Sequence, residues 1–304
     1  MWALWPLMVV VVVGQQATPD PRAVEEGATV AEAIVEARAY ARCGDAPEGM
    51  SCVPGGAFTR GHDTRDENAR PAMEVTLDTF FMDVHEVTNA EYRACVKSKR
   101  CGEAGPRYRG YSGDTQPITG VSWDDARGFC EVHGKSLPTE AQWEKAARGP
   151  AGEINPWGDA PATCELAIIE DERGRSCGER KPGSKPEAGR IFEVGQRPAG
   201  RYGLHDMVGN AEEWVADWYS KSYASCGEAC VGHEPKGPCG GAKKCKGHRK
   251  RVLKGGSWYW GADRATGIHR RANSPSNRPY HHFGFRCAAS VTQVEAMRPE
   301  PKSP

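Results

Sequence analysis

The sequence predicts a mixed α and β domain with much irregular backbone, held together by disulfides. Three observations lead there. Glycine (36) and proline (22) make up nearly a fifth of the 304 residues, more than a helical or doubly wound protein carries. The twelve cysteines are an even number and follow an N-terminus that reads as an export signal, so disulfides are their expected fate. Segments with strand alternation and segments with helix caps are both short, and they interleave along the chain.

The first element is the signal. Met1 to Val13 is almost wholly apolar, ends in Val9 to Val13, and is followed by Gly14-Gln15-Gln16-Ala17. About a dozen apolar residues fall short of the roughly 20 that span a bilayer, so no transmembrane helix is expected in the mature chain. Residues 1–17 read as a secretory signal whose cleavage falls between Gly14 and Ala17, although no basic residue precedes the apolar run. The expected location is periplasmic, extracellular or cell-surface. Forty basic residues balance forty acidic ones, so nothing in the charge points to nucleic acid or an anionic membrane.

Residues 18–46 are rich in Ala and Glu and read as a linker or short helix. The domain is expected over 47–290. Val53 to Phe58 has the texture of a short strand entering a tight turn, and Leu77 to Val84 alternates as one strand does. Thr88 with Glu91 forms a capping box for a helix. Trp123 to Cys130 is a second helix, ended by Gly134. A third runs from Pro138-Thr139 to Arg148 and stops at Gly149. Beyond residue 150 long loops are expected, and 291–304 reads as a polar, disordered tail.

Several separated segments carry a resemblance. In order they are Gly55-Gly56-Ala57-Phe58, Glu86 to Tyr92, Pro117 to Trp123 with Ala126 and Cys130, Gly134 to Glu144, Tyr202 to Asn210, and Lys254-Gly255-Gly256-Ser257-Trp258-Tyr259-Trp260 closing with Gly284-Phe285-Arg286-Cys287-Ala288. Together they resemble the formylglycine-generating enzyme, or sulfatase-modifying factor, family over about residues 53–290. The resemblance implies an α+β, C-type-lectin-like fold with little regular secondary structure.

It also implies a structural calcium held by Asp206, the backbone of Gly209 and Ala211, and Glu213, a hard oxygen set that suits Ca²⁺. The family's usual Trp before that Glu is here Glu212. Read from the residues alone, the same segment is also the acidic start of a helix. A second family calcium site lacks its expected Asn after Pro156-Trp157-Gly158 and is not carried over.

The family's disulfide falls on Cys130 and Cys287. Cys95 and Cys101 flank a basic loop, Cys164 and Cys177 bracket another, and Cys43 and Cys52 flank Pro47. Cys226, Cys230, Cys239 and Cys245 share one insertion, with three possible pairings or, near His233 and His248, a zinc site.

In the family's aerobic oxidases two cysteine thiolates bind copper, a soft-ligand site suited to Cu(I). The matching positions here are Trp260 and Ala265, so copper is not expected. Other branches of the family use a histidine-bound iron or mature a siderophore chromophore. His269, His281 and His282 lie near the motif, but neighbouring histidines point apart on extended backbone. The expected groove residues are Ser257, Trp258, Tyr259, Trp260, Arg264, His269, Arg270 and Arg271, aromatic anchors beside cations of the kind recognition surfaces use. The leading expectation is an exported non-catalytic module binding protein, peptide or glycan there. The alternative is an enzyme, oxidoreductase-type, whose chemistry does not need the two cysteines.

Overall fold

Each of the three longer helices begins where a hydroxyl precedes the first helical residue. The computed structural model describes residues 43–179, 189–276 and 280–298. The signal at 1–17 and residues 18–42 of the linker lie outside the described residues. Helix α1 (Asn89–Lys97) starts at Thr88, whose hydroxyl accepts the Glu91 N–H while the Glu91 carboxylate accepts the Thr88 N–H at 2.7 Å. Helix α2 (Trp123–Val132) repeats the reciprocal cap with Ser122 and Asp125, and α3 (Glu140–Arg148) with Thr139 and Gln142, closing on Gly149 at φ 73°. Each cap is worth about 1 kcal/mol.

Among the described residues, ten short strands form three sheets: β1 (Met50–Val53), β2 (Gly56–Arg60), β3 (Met73–Leu77), β4 (Phe80–Asp83), β5 (Glu212–Trp218), β6 (Gly232–His233), β7 (Arg251–Lys254), β8 (Arg270–Asn273), β9 (Phe283–Gly284) and β10 (Ala288–Ser290). Their orders are β1-β4-β10, β2-β3-β6 and β8-β7-β5-β9. The single strand expected over Leu77–Val84 is in fact the end of β3 and the whole of β4. Between them the Thr79 hydroxyl accepts the Gly55 N–H at 2.9 Å, and the Asp78 N–H donates to Glu234 at 2.8 Å. Those bonds take both residues out of the ladder.

The expected disordered tail is corrected for its first half. Val291–Met297 forms helix α4, capped by Ser290 and Gln293. Val291, Val294 and Met297 pack against Met50, Phe81 and Ala289, a three-residue apolar spacing that one helix face can bury.

Four tryptophans, Trp123, Trp143, Trp214 and Trp258, are fully buried. Trp143 belongs to the cluster with Val53, Phe58 and Val215, whereas Trp123 and Trp214 sit with Phe285 and Cys287. Six disulfides pair all the described cysteines: Cys43–Cys52, Cys95–Cys101, Cys130–Cys287, Cys164–Cys177, Cys226–Cys230 and Cys239–Cys245. The insertion therefore takes the local pairing of its three possibilities, and no thiolate there is left for zinc.

Candidate functional site

The residues expected to line the groove begin where β7 ends. Gly255 and Gly256 adopt φ 87° and 67°, backbone that L side chains avoid. A Cβ on Gly255 would meet Met207 O at 2.9 Å, and one on Gly256 would meet Arg264 O at 2.7 Å. This tight crossing brings Ser257 to Trp260 against residues 261–265. Ser257 and Trp258 lie fully buried under the turn, while Tyr259 and Trp260 are half-buried. Trp258 is core, packed with Tyr111, Ile168, Ile191 and Phe192. Ala265 is also buried, against Cys164, Ile169 and Val208.

Cations and imidazoles surround the two half-buried rings. Tyr259 stacks on His282 at 5.2 Å between centroids, and the Arg175 guanidinium lies 3.5 Å from the Tyr259 ring centre. Trp260 meets Tyr259 edge-on at 4.8 Å, with Arg264 at 4.5 Å and Arg271 at 5.2 Å from its ring centre. Arg271 Nη1 donates to Glu212 Oε2 at 2.8 Å and to His282 Nε2 at 3.2 Å. A guanidinium only donates, so Nε2 is the accepting nitrogen and the His282 proton belongs on Nδ1. Burial, then His281 and Arg271, push the His282 pKa down to about 2, which keeps the ring neutral. Burial raises the Glu212 pKa against the pull of Arg271. Four buried polar atoms here have no hydrogen-bond partner among the described residues: Glu212 Oε1, His282 Nδ1, Trp258 Nε1 and Trp260 Nε1.

The positions expected to hold calcium lie against the turn, where the Gly209 N–H donates to the Gly255 carbonyl at 3.0 Å. No helix follows them; Glu213 is the second residue of β5, so a helix-dipole role has nothing to act on. Glu213 is fully buried and holds Arg286 through Nε and Nη2 at 2.7–3.0 Å, with the Trp143 indole N–H donating at 2.8 Å. Asp206 Oδ2 accepts the Gly195 N–H at 2.6 Å. Beside them Glu86 accepts a bond from Asn210 on Oε1, while Oε2 accepts none and stands 4.0 Å from Arg286 Nη2. Burial and then Asp206 drive the Glu86 pKa well above the usual carboxylate range, and burial raises that of Asp206. Among the described residues no three His, Cys, Asp or Glu side chains are arranged around a common metal position. The expected set contains two side chains and two carbonyls.

Residues 36–291 match the family model of the sulfatase-modifying factor enzyme 1-like domain. The chain belongs to that family. Its sequence is 32% identical to a serine/threonine-protein kinase pkn1 of Chlamydia caviae over 264 residues, 80% of this chain but 38% of that protein. The chain thus spans well under half the length of that relative. It is 29% identical to the formylglycine-generating enzyme of Bos taurus, covering 80% of this chain and 75% of that protein. It is 28% identical to inactive C-alpha-formylglycine-generating enzyme 2 of Mus musculus, covering 80% and 86%. The sulfatase-modifying factor family therefore holds both active and inactive relatives of this chain. Among solved structures, PvdO from Pseudomonas aeruginosa superposes with a TM-score of 0.60 at 23% identity, over 80% of this chain and 94% of that one, which bears on the fold.

Of the residues the sulfatase-modifying factor motif singles out, Tyr259, Trp260, Arg264 and Arg271 come together, with Ser257 and Trp258 beneath. His269 is held by Asp66, whose Oδ2 lies 2.9 Å from its Nδ1, while its charge still acts on Glu212. Arg270 is elsewhere, buried against Glu140. The two arginines are neighbours on β8, and successive strand residues face opposite sides. Sequence reasoning missed Glu212 and Arg175 as groove residues and Glu86 as a neighbour of Asp206. Glu212 had a signal, because it stands where the family carries Trp. Arg175 had none, since it reaches Tyr259 from a distant loop.

Proposed function

We propose that this chain is an exported, non-catalytic member of its family that binds protein, peptide or glycan through the groove around Trp260. The observation that supports this most is the Trp260 indole itself. It stands at a position where the resemblance puts a copper-binding cysteine, half-exposed and flanked by Arg264 and Arg271. Aromatic and Arg anchors of this kind carry most of the energy in protein interfaces. Tagged protein should capture a partner that Trp260→Ala releases, with affinity falling roughly thirtyfold, the size of a ~2 kcal/mol hot spot. Equal capture by both forms would remove the groove from the reading. Six disulfides and the N-terminal apolar run support export; fractionation of the native host that leaves the chain in the cytoplasm would count against it.

One observation favours an enzymatic alternative, the buried Glu212–Arg271–His282 cluster with its shifted titrations. Copper-thiolate oxidation is not the chemistry it suggests, because neither Trp260 nor Ala265 supplies a thiolate. A Cys-x-Pro-x-Arg peptide incubated with the protein and copper should give no formylglycine above background. Turnover comparable to a true oxidase would overturn this.

We also propose Ca²⁺ at Asp206, the Gly209 and Ala211 carbonyls, and Glu213. The charge inventory supports a cation there: Glu86, Asp206 and Glu213 face Arg286, and Glu86 Oε2 is without a bond. Ca²⁺ at a hundredfold its Kd should add about 2.7 kcal/mol, a melting shift of roughly 5–10 °C for a domain of this size. A melting temperature unmoved by Ca²⁺ or chelator would remove the proposal.

A further inference from the structure

We propose that the groove recognises the free α-carboxylate of a peptide's C-terminal residue, held by the Trp260, Trp258 and His282 N–H groups, with Glu212 accepting that residue's backbone N–H. This rests on the binding reading of the groove given above. The donors come first. Trp258 Nε1 and Trp260 Nε1 can only donate, and His282 Nδ1 carries its proton because Arg271 occupies Nε2. All three are buried and without hydrogen-bond partners among the described residues. Both indoles lie 6.4 Å from the His282 ring centre and stand nearly perpendicular to it, at 89° and 88°. Two indole N–H groups beside the imidazole N–H ask for a group rich in acceptor lone pairs. A buried donor left unmade costs free energy, so natural structures satisfy such groups almost without exception.

The charge selects an anion among acceptors. Arg175, Arg264 and Arg271 ring the same aromatic floor. The ion pair of Arg264 with Asp263, at 3.8 Å, is loose and exposed. Loose exposed pairs yield to a better-placed anion, and Arg is suited to carboxylate. The remaining unpartnered atom selects a peptide terminus. Glu212 Oε1 is an acceptor in a fully buried carboxylate whose other oxygen is fixed by Arg271. A C-terminal residue offers its carboxylate and, two bonds away, a backbone N–H donor. The partly exposed Tyr259 ring, stacked on His282, must turn aside to admit it, a motion open to partly exposed side chains.

The test uses three fluorescent probes of one tetrapeptide sequence: a free C-terminal acid, its C-terminal amide, and an amide carrying an Asp side chain at the last position. The acid should bind at least tenfold more tightly than either amide, and Trp260→Phe, which keeps a ring but deletes the N–H, should abolish most of that preference. Glu212→Gln, whose unpairing from Arg271 lowers its melting temperature, should weaken the acid probe at a temperature where the variant is still folded. Equal binding of acid and amide, or a preference untouched by Trp260→Phe, overturns the carboxylate assignment. If partner capture still depends on Trp260→Ala in that case, the groove reading stands alone. Preference for the Asp amide overturns the terminal position.

Discussion

Replacing both Cys130 and Cys287 by alanine is expected to cost about 5 kcal/mol of stability, the largest loss from any single disulfide of this chain. The bond joins residues 157 apart in sequence, and the entropy removed from the unfolded chain grows with the logarithm of the loop. The same relation gives about 2 kcal/mol for the Cys95–Cys101 pair, which closes a separation of 6. Position reinforces the difference. Cys130 lies on α2 and Cys287 just before β10, both without exposure. The Cys287 N–H donates to Asp83 Oδ2 at 2.9 Å, and its carbonyl accepts the Asp83 N–H at 2.9 Å. The bond therefore fastens α2 to the seam where the last strand meets β4. Urea unfolding of the two double variants should separate them by about 3 kcal/mol. Similar midpoints would show that the unfolded chain is already compact enough to hide the loop term.

The local parts of this fold were legible in the sequence, and the parts set by distant partners were not. Thr88 with Glu91 and Thr139 with Gly149 announce helix ends because their bonds span three or four residues. The break between β3 and β4 depends on Gly55 and on Glu234, which no window around Leu77 contains. The α4 helix had a readable cap in Ser290 and Gln293, but its nearness to the C-terminus and the prolines beyond favoured a tail. At the site, the family stretch named Trp260, Arg264 and Arg271, and the three side chains are neighbours. Period-two alternation alone would have separated Arg270 from Arg271. His269 also pairs with Asp66, 203 residues away, a contact that no local rule foresees.

Arg270 turned inward to the second large effect. Glu140 and Glu144, one turn apart on α3, are fully buried with Arg60, Arg148, Lys254 and Arg270 around them. Glu140 accepts from Arg60 at 3.0 Å and from Arg270 Nη2 at 3.0 Å; Glu144 accepts from Lys254 at 3.1 Å, from the Tyr223 hydroxyl at 2.8 Å and from the Gly61 N–H at 2.6 Å. Glu140→Gln keeps the shape and removes one charge, leaving two buried guanidiniums short of a counter-ion. Breaking one side of such a network costs about 3–5 kcal/mol. Its pH dependence has two limbs. Burial alone would raise both glutamates, but Arg270, Arg60 and Lys254 outweigh it at Glu140, and Lys254, Arg148 and Arg60 at Glu144, so both are held below the usual range. Their contribution is present above the unfolded value near about 4.3 and is lost as pH falls through the folded values. Asp217 runs the other way. Burial and then Glu140 push it up to about 6, so its contribution is complete below its unfolded value near about 3.9 and is lost as pH rises through the folded one. Stability from this cluster should therefore peak at about pH 4.5, where the falling Asp217 limb crosses the rising glutamate limb. Asp217→Asn should flatten the neutral limb and leave the acid limb intact, whereas Glu140→Gln should lower the whole curve and shrink the acid limb. Urea midpoints from pH 3 to 8 measure both. A Glu140→Gln loss below about 1 kcal/mol would mean that the four cations are satisfied without it, and that the network sets side-chain positions without contributing to stability.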